Sequence, residues 1–288
     1  MLTVRMDKLL HLVFTAIIVI LLGTSIYFRA NQGNDTLQNE FLKKTDKLNS
    51  EQALQEIPEK APPADAVKVP ILIYHSVKPH LAIETALVKY YVVSPESLEK
   101  QLRYLRDNGY TVIGLDFLVD ALAQTITLPP KSVVLTFDDG WENQFQYAYP
   151  ILKNYNYTAT FFIFTRAIDH QSFLTWGQVK TMDAGGMTIG GHTRTHPYLP
   201  DITDPVVLRR EIIGGKSVIE NRIGHQINLF AYPYGHYNDE IIKIVKEAGY
   251  EGARSAYKGI YHDRNYIYTL KGIEATDDFA KFIKDLNG

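Results

Sequence analysis

From about residue 69 onward the chain alternates short, almost wholly apolar runs with longer stretches whose apolar residues recur at helical spacing. Residues 69–77 (VPILIYHSV), 132–137 (SVVLTF), 158–165 (TATFFIFT) and 229–232 read as strands, buried enough for a parallel sheet. Helices with readable ends lie between them. Ser94 and Pro95 open one that buries Leu98, Leu102 and Leu105, and Gly109 closes it. A strand at 110–115 and an amphipathic helix at 116–123 follow. Residues 142–155 form a helical segment that Pro150 kinks or limits. Thr175 caps a helix starting at Trp176 and ended by Gly185-Gly186, before the strand that carries His192 and His196. Asp204-Pro205 opens a helix over 206–223, and another spans 238–248 up to Gly249. Strands alternating with helices imply parallel pairing with right-handed crossovers, an α/β fold.

The amino end breaks this pattern. Residues 9–28 are apolar apart from His11 and a few hydroxyls, long enough for the ~20 residues that cross a bilayer. Arg5 and Lys8 precede them and favour a cytoplasmic amino end, although Arg29 weakens the asymmetry. A signal peptide has a shorter apolar core and a small-residue cleavage site, so residues 1–30 read as an uncleaved membrane anchor; cleavage would make the protein secreted. Residues 31–68 are polar and charge-mixed, ending in Ala61-Pro62-Pro63-Ala64, and read as a flexible stalk in which 37–54 could form a transient helix. Residues 69–288 are left as the one folded domain.

Composition narrows the chemistry. The 288 residues, 45% of them hydrophobic, suffice for one well-cored domain, and a net charge of -2 gives no reason to expect nucleic acid. Cysteine is absent, which excludes disulfides, thiolate metal sites and a cysteine nucleophile.

The strand at 132–137 runs into Asp138 and Asp139, and Gly140 then breaks it. Catalytic groups in α/β sheets and barrels gather at the carboxyl ends of strands, although Asp-Asp-Gly is also ordinary turn chemistry. His192 and His196 would lie ~13 Å apart in an extended strand, but a helical turn brings them within ~6 Å. Two imidazoles and one carboxylate can then close on a metal at ~2.0–2.2 Å and leave a coordination position open.

Thr136-Phe137-Asp138-Asp139-Gly140 and His192-Thr193-Arg194-Thr195-His196 resemble, in this order and spacing, the first two motifs of the polysaccharide deacetylases with a NodB-homology domain. Phe230-Ala231-Tyr232-Pro233-Tyr234-Gly235 is similar to their third motif, and Leu174-Thr175-Trp176 resembles their tryptophan motif. The likeness runs from about Val69 to near the carboxyl end. It implies an irregular (β/α) barrel of about seven units, with a doubly wound open sheet as the other closure. It also implies metal-dependent removal of N-acetyl groups from an acetylated amino-sugar polysaccharide. In that reading Asp139, His192 and His196 hold a divalent metal, zinc by default although other first-row ions suit the set. Asp138 is the general base, and the backbone N–H of Tyr234 is an oxyanion donor. Trp176, Tyr232 and Pro233 contact substrate, Trp176 at the acetyl methyl.

Most members carry a late histidine as general acid, and residues 266–288 contain none. The chain resembles the intercellular adhesin deacetylases, which look permuted, with an amino-terminal strand ending in Tyr-His. That implies His75 as the acid; His170 and His236 are its rivals. Many members also place an arginine where this chain has Ala231, so the partner of Asp138 must be the metal or another residue. The likeness leaves a peptidoglycan N-deacetylase, an acetyl-ester hydrolase and a non-catalytic surface carbohydrate-binding protein as alternatives to a poly-N-acetylglucosamine deacetylase.

An anchor followed by a stalk places the catalytic domain outside the cell. Protease added to intact cells is expected to release a fragment that begins within residues 31–68; recovery of the whole chain from the soluble cytoplasm would contradict this.

Overall fold

The computed structural model describes residues 65–288 apart from 82–83, 86–88 and 125. Within them, strands β1 (Ile71–Tyr74), β2 (Thr111–Ile113), β3 (Ser132–Phe137), β4 (Thr160–Ile163), β5 (Thr188–Gly191), β6 (Leu229–Ala231), β7 (Gly252–Lys258) and β8 (Leu270–Glu274) form one parallel sheet. Helices α1 (Pro95–Asp107), α2 (Leu115–Gln124), α3 (Tyr149–Asn154), α4 (Trp176–Ala184), α5 (Pro205–Ile223), α6 (Asp239–Glu247) and α7 (Phe279–Asn287) complete it.

The sheet closes. β1 pairs with β3 on one side, Ile71 opposite Val134 and Tyr74 opposite Phe137, and with β8 on the other. The ring therefore runs β1-β3-β4-β5-β6-β7-β8 and returns to β1. β2 stands outside it, paired with the first half of β3. This is the irregular barrel implied by the motifs rather than an open doubly wound sheet.

Side-chain alternation divides the core in two. Ile71, Val134, Phe162, Leu229, Ala231 and Leu270 come from strands all round the ring and pack together, so they fill its interior. Leu115, Leu118, Val119 and Leu122 of α2 join them. The opposite faces, with Leu72, Leu135, Phe161, Ile163 and Phe230, pack under the outer helices. The helix ends follow local chemistry. Ser94 Oγ accepts from Ser97 N at the start of α1, and Thr175 and Gln178 form a reciprocal capping box at α4.

Three findings depart from the sequence reading. The helical segment after the acid pair runs over 142–154 as expected, but its middle, Gln144–Ala148, is a π turn that leads into α3. Pro150 follows that turn, where the helical ladder is already irregular. β7 and β8, which close the ring, were not among the expected strands. Finally, Val67–Lys68, placed in the stalk by composition, already pair antiparallel with Tyr261–His262. The anchor at 1–30 and the stalk up to residue 64 lie outside the described residues; among those described, no helix is long and apolar enough to cross a membrane.

His262 seals the entry to β1. It is 3% exposed, and its Nε2–H donates to Val69 O at 2.9 Å. Burial pushes its pKa down to about 4 from an ordinary 6.5, so the folded protein keeps it neutral while the unfolded chain takes up a proton below pH 6.5. This contribution to stability is complete above pH 6.5 and is lost as the pH falls towards 4, roughly 3 kcal/mol in all. His262→Gln, which keeps a donor and cannot titrate, is expected to flatten that part of the stability–pH curve in chemical denaturation. An unchanged slope would show that His262 is not the group responsible.

Candidate active site

The functional side chains leave the ring at the carboxyl ends of its strands. Tyr74 and Phe137 are register partners, so His75 after β1 and Asp138 after β3 start their loops at the same level. His192 follows β5, and its Nδ1–H donates to Ala231 O at the end of β6, 2.7 Å away. That bond leaves Nε2 as the ligating nitrogen, and burial holds the imidazole below its ordinary pKa, in the neutral form that binds metals. The chain then turns back. Thr193 and His196 take φ values of 68° and 57°, and His196 N donates to Thr193 Oγ1.

The turn brings His196 Nε2 to 3.1 Å from His192 Nε2, and the two lie 3.4 and 3.7 Å from Asp139 Oδ1 respectively. All three residues are buried. Asp139 Oδ1 accepts no hydrogen bond within the described structure. Two nitrogen lone pairs and a carboxylate oxygen facing one another repel unless a cation lies between them. A tetrahedral ion bound at ~2.0–2.1 Å spaces its ligands roughly 3.4 Å apart, which these separations bracket. The donor set therefore fits a divalent metal.

Asp138 points to a different partner. Arg254, from β7 and 1% exposed, donates through Nη2 to both carboxylate oxygens at 2.5 Å. Burial pushes the Asp138 pKa up, but Arg254, with His192 and His75, outweighs it and leaves the carboxyl below its ordinary value. His75 carries the opposite charge. Burial pulls its pKa down, but Glu274 at the end of β8, 3.4 Å from Nδ1, and then Asp139 and Asp138 lift it to about 9. Its ring packs edge-on against Tyr91. At neutral pH the site thus presents a carboxylate and an imidazolium, a proton acceptor and a proton donor.

Supporting groups hold these in place. Gln144, in the π turn, donates through Nε2 to His75 O and Asp138 O, at 2.7 and 2.5 Å, tying the two strand ends together. The buried Glu211 of α5 accepts from Arg194 N and Thr195 N inside the histidine turn. α5 can approach so closely because residue 215 is glycine: a Cβ there would lie 2.8 Å from the Thr193 carbonyl carbon. Tyr234 takes φ 59° in the Pro-Tyr-Gly turn, and its ring lies 4.7 Å from that of His196.

The three expected substrate contacts fare differently. Pro233 lies buried in that same turn. Tyr232 is 1% exposed, and its hydroxyl donates to Tyr268 O. Trp176 is buried at the start of α4 with the Arg222 guanidinium 5.4 Å from its ring centre. Both rings belong to the buried apolar cluster under the outer helices. The tryptophan that touches the acids is Trp141, whose Nε1–H donates to Asp139 Oδ2 at 3.1 Å. His236, a rival for the acid role, packs instead against Tyr198 and Tyr257.

Residues 125–253 match the family model described as polysaccharide deacetylase. The Bacillus subtilis protein YxkH, assigned to the polysaccharide deacetylases, is 33% identical over 201 residues, 67% of this chain and 69% of its own length. The chain belongs to the polysaccharide deacetylase family. The poly-beta-1,6-N-acetyl-D-glucosamine N-deacetylase of Staphylococcus aureus is 25% identical over 70% of this chain and 74% of its own. Among solved structures, the Streptococcus pyogenes deacetylase PplD, in complex with acetate, superposes with a TM-score of 0.72 at 29% identity, covering 77% of this chain and 99% of that one. Members of this hydrolase family are metal-dependent, and the aspartate and two histidines that could hold the ion meet here.

Arg254 replaces the motif arginine absent at Ala231. The two residues are register partners on β6 and β7, so the guanidinium reaches Asp138 from the neighbouring strand. Arg254→Met is expected to strand a buried carboxylate. Its pKa then rises, the acidic limb of the deacetylation pH profile moves to higher pH, and turnover at neutral pH falls about 10- to 100-fold. Loss of the pair should also cost about 3–5 kcal/mol in denaturation, with bound metal unchanged. An unshifted acidic limb would exclude Arg254 as the partner that keeps Asp138 ionised.

Proposed function

We propose that this deacetylase hydrolyses the N-acetyl groups of an extracellular poly-N-acetylglucosamine, with zinc held by Asp139, His192 and His196. The observation that carries the reading is a pair of oppositely partnered residues beside one metal-ligand set: both oxygens of Asp138 accept from Arg254, and His75 lies 3.4 Å from Glu274. The Staphylococcus aureus relative supports the choice of polymer, and the apolar stretch at 9–28 supports a membrane-anchored domain outside the cell.

Amides resist water because the carbonyl is a poor electrophile and the amine a poor leaving group. When bound, the ion polarises the acetyl carbonyl and acidifies water next to it. Asp138 takes the proton from the attacking water as general base. The main-chain N–H of Tyr234, in the turn against His196, donates to the developing oxyanion. His75 hands its proton to the departing sugar amine, and Glu274 keeps that proton on the imidazole beforehand. Acetate and a free amino sugar result.

His75→Ala is expected to lower turnover on a β-1,6-linked N-acetylglucosamine oligomer by about two to four orders of magnitude with metal retained. An activated acetyl ester, whose leaving group needs little protonation, should lose much less. Asp138→Asn should abolish both reactions and still hold the ion, whereas Asp139→Ala, His192→Ala or His196→Ala should empty the site. Equal losses on amide and ester for His75→Ala would reduce it to an orienting role, and release of acetate from peptidoglycan but not from the oligomer would reassign the substrate.

A further inference from the structure

Asp139 has two carboxylate oxygens, and the structure treats them differently. Oδ1 faces the two histidine nitrogens and accepts no hydrogen bond. Oδ2 accepts the indole N–H of Trp141 at 3.1 Å. A carboxylate alone beside a divalent ion can swing to offer both oxygens, and each extra ligand removes a position where water or carbonyl could sit. An indole N–H only donates, so it satisfies Oδ2 without competing for the ion or taking up a proton.

The indole is itself held. Its ring stacks on Phe173 with centroids 4.4 Å apart and planes 20° from parallel. The backbones of Trp141 and Phe173 form an antiparallel bridge, flanked by Leu174 N donating to Gly140 O at 2.8 Å and Glu142 N donating to Ser172 O at 2.9 Å. Phe164 closes the group, edge-on to Phe173 and 5.3 Å from the His196 ring. The segment before α4 therefore clamps the tryptophan, and through it one oxygen of Asp139. Two consecutive left-handed residues, Asp139 at φ 75° and Gly140 at φ 76°, turn the chain so that the indole of residue 141 reaches back to 139.

We propose that Trp141 is a positioning residue that restricts Asp139 to one ligating oxygen and so keeps coordination positions open for water and the acetyl carbonyl. The inference rests on the metal site proposed above, at Asp139, His192 and His196. It assigns Trp141 to coordination geometry, and leaves the acid and base roles with His75 and Asp138.

The test uses the full chain loaded with Co²⁺, whose visible absorption weakens as the coordination number rises. Two replacements are made: Trp141→Phe, and site-specific incorporation of benzothienylalanine at 141, which keeps the bicyclic ring on Phe173 and exchanges N–H for sulfur. With both, the visible bands are expected to weaken and shift relative to the native chain, and turnover on the acetylated oligomer to fall about 10- to 100-fold. Cobalt stoichiometry should stay at one ion per chain, and circular dichroism should stay native. Native bands and turnover in the benzothienylalanine protein would overturn the proposal, whatever Trp141→Phe did. A native chain that fails to bind cobalt would instead overturn the metal site, and the proposal with it.

Discussion

Two carboxylates side by side in a buried site cannot both stay ionised without separate counter-charges, and the arrangement of this barrel follows from that constraint. Asp138 is satisfied from below, by an arginine inside the ring that touches both of its oxygens and lies 5.3 Å from the Phe162 ring. Asp139 is turned the other way, towards the two imidazoles. The neighbours thus acquire different chemistry from different partners. One carboxylate is fixed as a proton acceptor, and the other is left with an oxygen that only a cation completes. Arg254 depends on Asp138 equally, since a guanidinium in the barrel interior would otherwise have no compensating charge.

Holding these groups requires backbone that most side chains avoid. Among the described residues eight non-glycine positions have positive φ, and Asp139, Thr193, His196 and Tyr234 are four of them. Each such residue costs on the order of 1–3 kcal/mol. The surrounding structure enforces the conformations: α5 presses on the histidine turn through Gly215 and Glu211, and the segment around Phe173 is bonded to the turn after Asp139. These contacts pin long loops to the elements beside them.

How far the chain could be read depended on what each strand carries inward. β1, β3 and β4 present apolar residues on both faces, and their runs stand out as VPILIY, SVVLTF and TFFI. β7 reads GARSAYK because Arg254 occupies the inward face where an apolar residue would have revealed the strand. The same substitution of charge for hydrophobe hid both the ring closure and the partner of Asp138. Gln144 carried no signal, since one glutamine in a helical segment is unremarkable. Glu211 did carry one: it falls on the stripe of Leu208, Ile212, Gly215 and Ile219, where a carboxylate needs a buried donor. Trp176 and Tyr232, named from a motif likeness, lie buried in the structure. A motif likeness identifies which residues recur together, but not which side of a turn they face.

The ring joins its two ends beside the chemistry. His75 leaves the first strand and Glu274 ends the last, and the pairing of β1 with β8 is what puts them in contact. His75 and the carboxylate that faces it are therefore separated by nearly the whole domain along the chain. Asp139, His192 and His196 come from the middle of the chain, whereas the contact of His75 with Glu274 requires residues 270–274 to have docked. A chain truncated ahead of that strand would hold its ligand residues and still lack the carboxylate beside His75.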